Sequence, residues 1–100
     1  MGMIRGFLIH KSDSVLTLLE TGKVGDEIIV VGGEKNFQIQ LKEDVKGGHK
    51  VASREMKKGE QVIKYGCLIG VATRDIGIGD WVHTHNITSN YDKNGKAHGT

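Results

Sequence analysis

A short unit occurs twice in this chain, twenty residues apart: Arg54-Glu55-Met56-Lys57-Lys58-Gly59-Glu60-Gln61-Val62 and Arg74-Asp75-Ile76-Gly77-Ile78-Gly79-Asp80-Trp81-Val82. Each has an apolar residue, a glycine, an acid directly after it, and then a strand-like apolar position. Gly25-Asp26-Glu27-Ile28 is a weaker copy. Glycine permits a tight reversal of the backbone, and the acid beside it can accept hydrogen bonds from turn amides. Two or three such units are too few to stack as a solenoid. They specify a compact sheet with repeated loop-to-strand corners.

The rest of the composition agrees with a small β-rich domain. In 100 residues there are 15 glycines, no proline, and only five aromatics: Phe7, Phe37, Tyr65, Trp81 and Tyr91. A core must then come from Val, Ile and Leu, whose branching favours strands. The length fits one domain. The single cysteine, Cys67, excludes an internal disulfide and reads as a small buried hydrophobe. No signal-peptide pattern opens the chain, and no apolar run approaches the roughly 20 residues that span a bilayer. The expectation is a cytoplasmic protein without a membrane partner. A net charge of +2 is too small for a nucleic-acid partner. Residues 42–64 hold seven Lys or Arg against four acids, an excess suited to a small carboxylate, although an ordinary solvated surface carries such charges too.

Along the chain, Phe7-Leu8-Ile9 reads as a strand. Ser12 or Asp13 can cap a short helix near residues 13–20, through Val15, Leu16, Leu18 and Leu19, with Gly22 placed to stop it. Strands follow at 27–31 and 36–41, joined by a turn at 32–35. The second buries one face only, because Phe37, Ile39 and Leu41 alternate with polar residues. Trp81-Val82-His83-Thr84-His85-Asn86 reads as a strand with Trp81, His83 and His85 on one face and Val82 inward. The expected fold is mainly β with one short helix. Residues 1–88 form the domain, and residues 89–100 a polar, flexible tail that contains His98.

Several segments occur in an order that resembles one family. Gly48-His49-Lys50-Val51-Ala52 comes first, then Ile63-Lys64-Tyr65-Gly66, Ile69-Gly70, Ala72-Thr73, Asp75-Ile76 and Gly79, and finally Val82-His83-Thr84-His85-Asn86. Together they resemble the small N-terminal domain of altronate and galactarate dehydratases, an SAF-type module with a β-clip fold. His10-Lys11-Ser12-Asp13-Ser14-Val15 is similar to the family's opening His-x-x-Asp-Asn-Val segment. The resemblance spans roughly residues 7–88. It implies the small subunit of a lyase that eliminates water, or another leaving group, from a hydroxy acid to give a 2-keto acid. It further implies a separate large catalytic subunit, as in sulfolactate sulfo-lyases, and a divalent metal, commonly iron. This chain departs from the family pattern at Trp81, where histidine is common, at Cys67, where an acid is common, and at Ser14, where asparagine is usual.

Elimination needs a base for the proton beside the carboxylate, an acid or Lewis acid for the leaving group, and cations for the carboxylate and enolate. His49, His83 and His85 are the candidate catalytic residues, and Lys50, Lys64 and Tyr65 the candidate substrate contacts. His83 and His85 are the leading metal candidates, with His10 and Asp13 behind them, because a catalytic metal usually takes three protein ligands. Each has a plainer reading: a turn histidine bonded to a carbonyl, a surface lysine, or a packed tyrosine. Three classes follow. The first is a lyase subunit inactive by itself; the second is a docking or sugar-acid-binding module without catalytic residues. The third is a periplasmic carbohydrate or pilus-assembly relative, which the lack of a signal peptide disfavours. Self-association is compatible with all three.

Overall fold

The structure is a computed structural model that describes residues 2–32 and 37–89. The start of the expected strand at 36–41, most of the turn at 32–35, and all but the first residue of the expected tail lie outside these residues.

Among the described residues, nine strands form two sheets. The first sheet contains β1 (Met3–Phe7), β2 (Val15–Leu18), β3 (Glu27–Val31), β4 (Phe37–Gln40), β5 (Lys50–Ala52) and β8 (Trp81–Val82), in the order β4-β3-β1-β2-β5-β8. The second is β6 (Gln61–Lys64), β7 (Cys67–Ala72) and β9 (Ile87–Thr88), in the order β6-β7-β9. Pairing is antiparallel except between β1 and β3. One core, including Ile4, Leu16, Leu18, Ile28, Val30, Leu41 and Val51, lies under the larger sheet. A second, built on Val15, Ala52, Met56, Val62, Ile76 and Val82, joins β2, β5 and β8 to the smaller sheet.

The expected helix at 13–20 is instead strand β2. Val15, Leu16 and Leu18 are all buried, with Leu16 and Leu18 in the first core and Val15 in the second. A strand covered on both faces reads as a continuous apolar run, which periodicity cannot separate from a buried helix turn. Asp13 therefore caps no helix. The first strand begins earlier than expected and ends at Phe7, leaving Ile9 exposed. Cys67, expected to be buried, is exposed at the start of β7.

The repeated unit folds as its residues dictate. In three copies the acid's amide bonds the carbonyl three residues back: Asp26 to Lys23 at 2.9 Å, Glu60 to Lys57 at 2.9 Å, and Asp80 to Gly77 at 3.1 Å. The intervening Gly25, Gly59 and Gly79 each have φ +91°, the left-handed third position of a type II turn. The acid then turns back on the turn's first amide, at 2.9 Å from Lys23, 3.0 Å from Lys57 and 2.7 Å from Gly77.

A fourth copy, not apparent in the sequence, is Lys46-Gly47-Gly48-His49. Gly48 has φ +87°, and the His49 amide donates to Lys46 O at 3.2 Å. The copies pair through bridges before their turns, Gly22 with Val45 and Met56 with Ile76. The fourth differs in one respect: a histidine stands where the others carry a carboxylate.

Candidate functional site

Register brings the candidate residues together in two groups. Leu18 N donates to His49 O at 3.0 Å, and β5 pairs Val51 with Trp81 and Lys50 with Val82. Paired residues share a face of the sheet, so Val51, Trp81 and the flanking His49 lie on one side. Lys50 lies on the other, with Thr17 and Val82. Lys50 thus does not join His49.

Trp81 is the centre of the first group. It packs half-buried against the larger core. Its ring stacks on His83 at 5.1 Å between centroids and 10° between planes. His85 lies 4.9 Å from it at 39°, and His49 5.8 Å at 56°. His49 and His83 are 5.5 Å apart. The shared face expected for Trp81, His83 and His85 arises by a different route from strand alternation. Strand β8 ends at Val82, and residues 83–86 form a turn. Asn86, 4% exposed, closes that turn: Oδ1 accepts from His83 N at 2.9 Å, and Nδ2 donates to Trp81 O at 2.8 Å. Val82 points inward as expected and is fully buried.

Beside the cluster is a concavity of about 300 Å³ lined by Asp44, Val45, Lys46, His49 and Trp81. Sequence reasoning missed Lys46, the cation of this lining. It also missed Glu43, whose Oε2 accepts from Trp81 N at 3.2 Å. Asp44 Oδ1 is engaged with Val24 N at 2.9 Å.

The second group sits at the other end of β2. Asp13, 3% exposed, accepts three amides: His10 at 3.2 Å and Tyr65 at 2.9 Å on Oδ2, and Gly66 at 2.9 Å on Oδ1. Ser14 Oγ accepts from Ile63 N at 3.0 Å and from Arg54 Nη2 at 3.2 Å. These bonds anchor the β6–β7 hairpin, where Tyr65 (φ 56°) and Gly66 (φ 74°) form a left-handed pair. Lys64 Nζ lies 4.7 Å over the exposed Tyr65 ring. His10 is exposed, with Nδ1 2.7 Å from Ser12 Oγ. Asp13 is five positions from Leu18, so at the rise of a strand the two groups are roughly 15 Å apart.

These side chains do not form a metal centre by themselves. Among the described residues no three His, Cys, Asp or Glu side chains converge as metal ligands would. Both oxygens of Asp13 are committed to amides. His49 Nδ1 receives the Trp81 indole N–H at 3.3 Å, whereas a metal-bound imidazole typically donates its second N–H outward to an acceptor. His83 and His85 stand beside Trp81 with no third such side chain converging on them among the described residues.

Comparison with known proteins shows the family. Residues 4–90 match the model of the altronate/galactarate dehydratase SAF domain. The chain is 39% identical over 82 residues to altronate dehydratase of Bacillus subtilis, covering 82% of this chain and 16% of that protein. It is 31% identical over 85 residues to (2R)-sulfolactate sulfo-lyase subunit alpha of Chromohalobacter salexigens, covering 81% of this chain and 90% of that subunit. The corresponding subunit of Paracoccus pantotrophus is 41% identical over 58 residues, which is 58% of this chain and 87% of that one. The chain thus spans under one fifth of the altronate dehydratases it matches and most of the sulfo-lyase subunits. With its SAF match running over nearly the whole described structure, the chain belongs to the altronate/galactarate dehydratase SAF domain family.

Proposed function

We propose that this chain is the small subunit of a hydroxy-acid lyase. It works with a large catalytic chain to eliminate water, or a sulfo group, from a hydroxy acid and release a 2-keto acid. The observation that carries this reading is the match to 90% of a protein that is itself named a subunit of a lyase. In the altronate dehydratases the same domain is a small fraction of a longer chain.

The geometry supports a contributing role rather than a self-sufficient one. Elimination is favoured in an enclosed, water-excluding site. Here the imidazoles of His49, His83 and His85 gather round Trp81, and His49 and Trp81 line an open concavity. In this reading the large chain closes that face, and the imidazoles and Lys46 meet the carboxylate of the substrate. A divalent metal such as iron would take most of its ligands from the large chain, with His83 and His85 available to complete the set. The exposed Cys67 thiol suits a reducing, cytoplasmic setting.

The sulfo-lyase and hydro-lyase forms differ in leaving group. The share of subunit alpha that is matched favours the first, and the 39% identity to altronate dehydratase over 82 residues, against 31% over 85 for one subunit alpha, favours the second. The test is His83→Ala/His85→Ala in the assembled complex. Full activity and metal content in that double variant would reduce the chain to a docking module. A sharp loss with an intact complex supports the reading.

A further inference from the structure

In three of the four turns the side chain after the glycine bonds back to its own turn. In the fourth that residue is His49, and its ring is engaged elsewhere. The Trp81 indole Nε1–H lies 3.3 Å from His49 Nδ1. An indole nitrogen only donates, so Nδ1 must accept, and a neutral imidazole that accepts at Nδ1 carries its proton on Nε2. Among the described residues Nε2 has no hydrogen-bond partner.

We propose that Trp81 is a positioning residue: its indole N–H holds His49 in the Nε2-protonated tautomer, which offers a neutral N–H donor to a small carboxylate seated beside Lys46. Three observations converge on this. His49, Lys46 and Trp81 line one concavity of about 300 Å³, within the range of small-molecule sites. Lys46 supplies a cation there, while the one acid of the lining, Asp44, is engaged by Val24 N. The Trp81 ring is itself fixed, packed on the larger core and stacked on His83, so its N–H has a defined direction.

The polarity of the bond has a chemical consequence. A bare Nε2 would serve as base or metal ligand. An Nε2–H instead stabilises charge that grows on a carboxylate as the neighbouring C–H is broken, without the imidazole first taking a proton. The ligand class rests on the lyase reading above; the tautomer does not.

The test uses the full chain, uniformly ¹⁵N-labelled, at a pH above the imidazole range. Long-range ¹H–¹⁵N spectra report each ring's tautomer directly. The expected result is that His49 is wholly Nε2-protonated. In Trp81→Phe, which keeps a ring over His83 but lacks the N–H, an Nδ1-protonated population appears at His49. A mixed or Nδ1-protonated His49 in the parent overturns the proposal, as does an unchanged His49 spectrum in folded Trp81→Phe. The parent measurement stands whether or not that variant folds. Galactarate is then titrated in: displacement of the His49 Nε2–H resonance, reduced several-fold in Lys46→Met, supports the carboxylate site. No displacement overturns the ligand assignment while leaving the subunit reading intact.

Discussion

The amide of Tyr65 donates to the buried carboxylate of Asp13 at 2.9 Å, across 52 residues of sequence. Tyr65 has φ 56°, a left-handed conformation that side chains larger than glycine adopt rarely. The hairpin holds it because Asp13 takes the two successive amides of Tyr65 and Gly66. Asp13, which in the sequence reads as a helix cap or a metal ligand, is thus the tie between the β1–β2 loop and the second sheet.

Asp13→Asn tests this role. The side chain keeps its shape, but both original oxygens accept amides, so one amide now faces an NH₂ group. Hydrogen bonds to charged groups contribute about 1.5–3 kcal/mol, and a buried unsatisfied donor costs a similar amount. The expected loss is about 2 kcal/mol, a fall in Tm of roughly 10 °C, read by thermal unfolding. A Tm within the scatter of the parent would show that the hairpin needs no such anchor.

Much of this architecture is legible in the sequence, and the exceptions have physical causes. The glycine-acid turns were visible because both residues are chemically required there. The fourth was hidden because its acid is a histidine. Strand β2 reads as a helix in the sequence because burial on both faces removes alternation. The sequence groups His83 and His85 with Trp81, as the structure does, yet the cause is a turn closed by Asn86, not a strand. Lys50 follows His49 in sequence but faces the opposite side of the sheet, while Lys46 reaches the concavity because a turn folds it back. Such placements depend on register, which composition does not carry.

Two glycines with the same φ separate conformational strain from crowding. Gly59 and Gly79 both have φ +91°, but a Cβ at Gly59 meets nothing within 4 Å, whereas one at Gly79 falls 2.2 Å from the Gln40 carbonyl oxygen. Gly59→Ala should cost about 1–2 kcal/mol, the strain of a left-handed residue. Gly79→Ala should exceed 3 kcal/mol, because backbone must also move. Urea unfolding of the two variants checks the difference; equal losses would contradict it.

Acid should weaken the fold through exposed carboxylates. The Lys23 amide, followed by that of Gly2, holds the Asp26 carboxyl below its ordinary range. The Arg5 amide and then its side chain do the same for Glu20. A carboxyl lowered in the folded state adds stability above its unfolded pKa. That stability is lost as pH falls from the ordinary carboxylate range, near 4, through the lower folded values. Unfolding midpoints measured across that window should decline less steeply in Asp26→Asn than in the parent. Parallel curves would show that Asp26 carries none of this pH dependence.

Turnover measures most directly whether this domain contributes to a lyase without being one alone. Altronate, galactarate and (2R)-sulfolactate are offered to the purified chain, and to the chain co-expressed with a large dehydratase-like chain from the same source. The expected result is no 2-keto acid from the chain alone and measurable elimination of at least one substrate by the complex, lost when His83 and His85 are both alanine. Turnover of any of the three by the isolated chain, or no dependence of the complex on this chain at all, would contradict it.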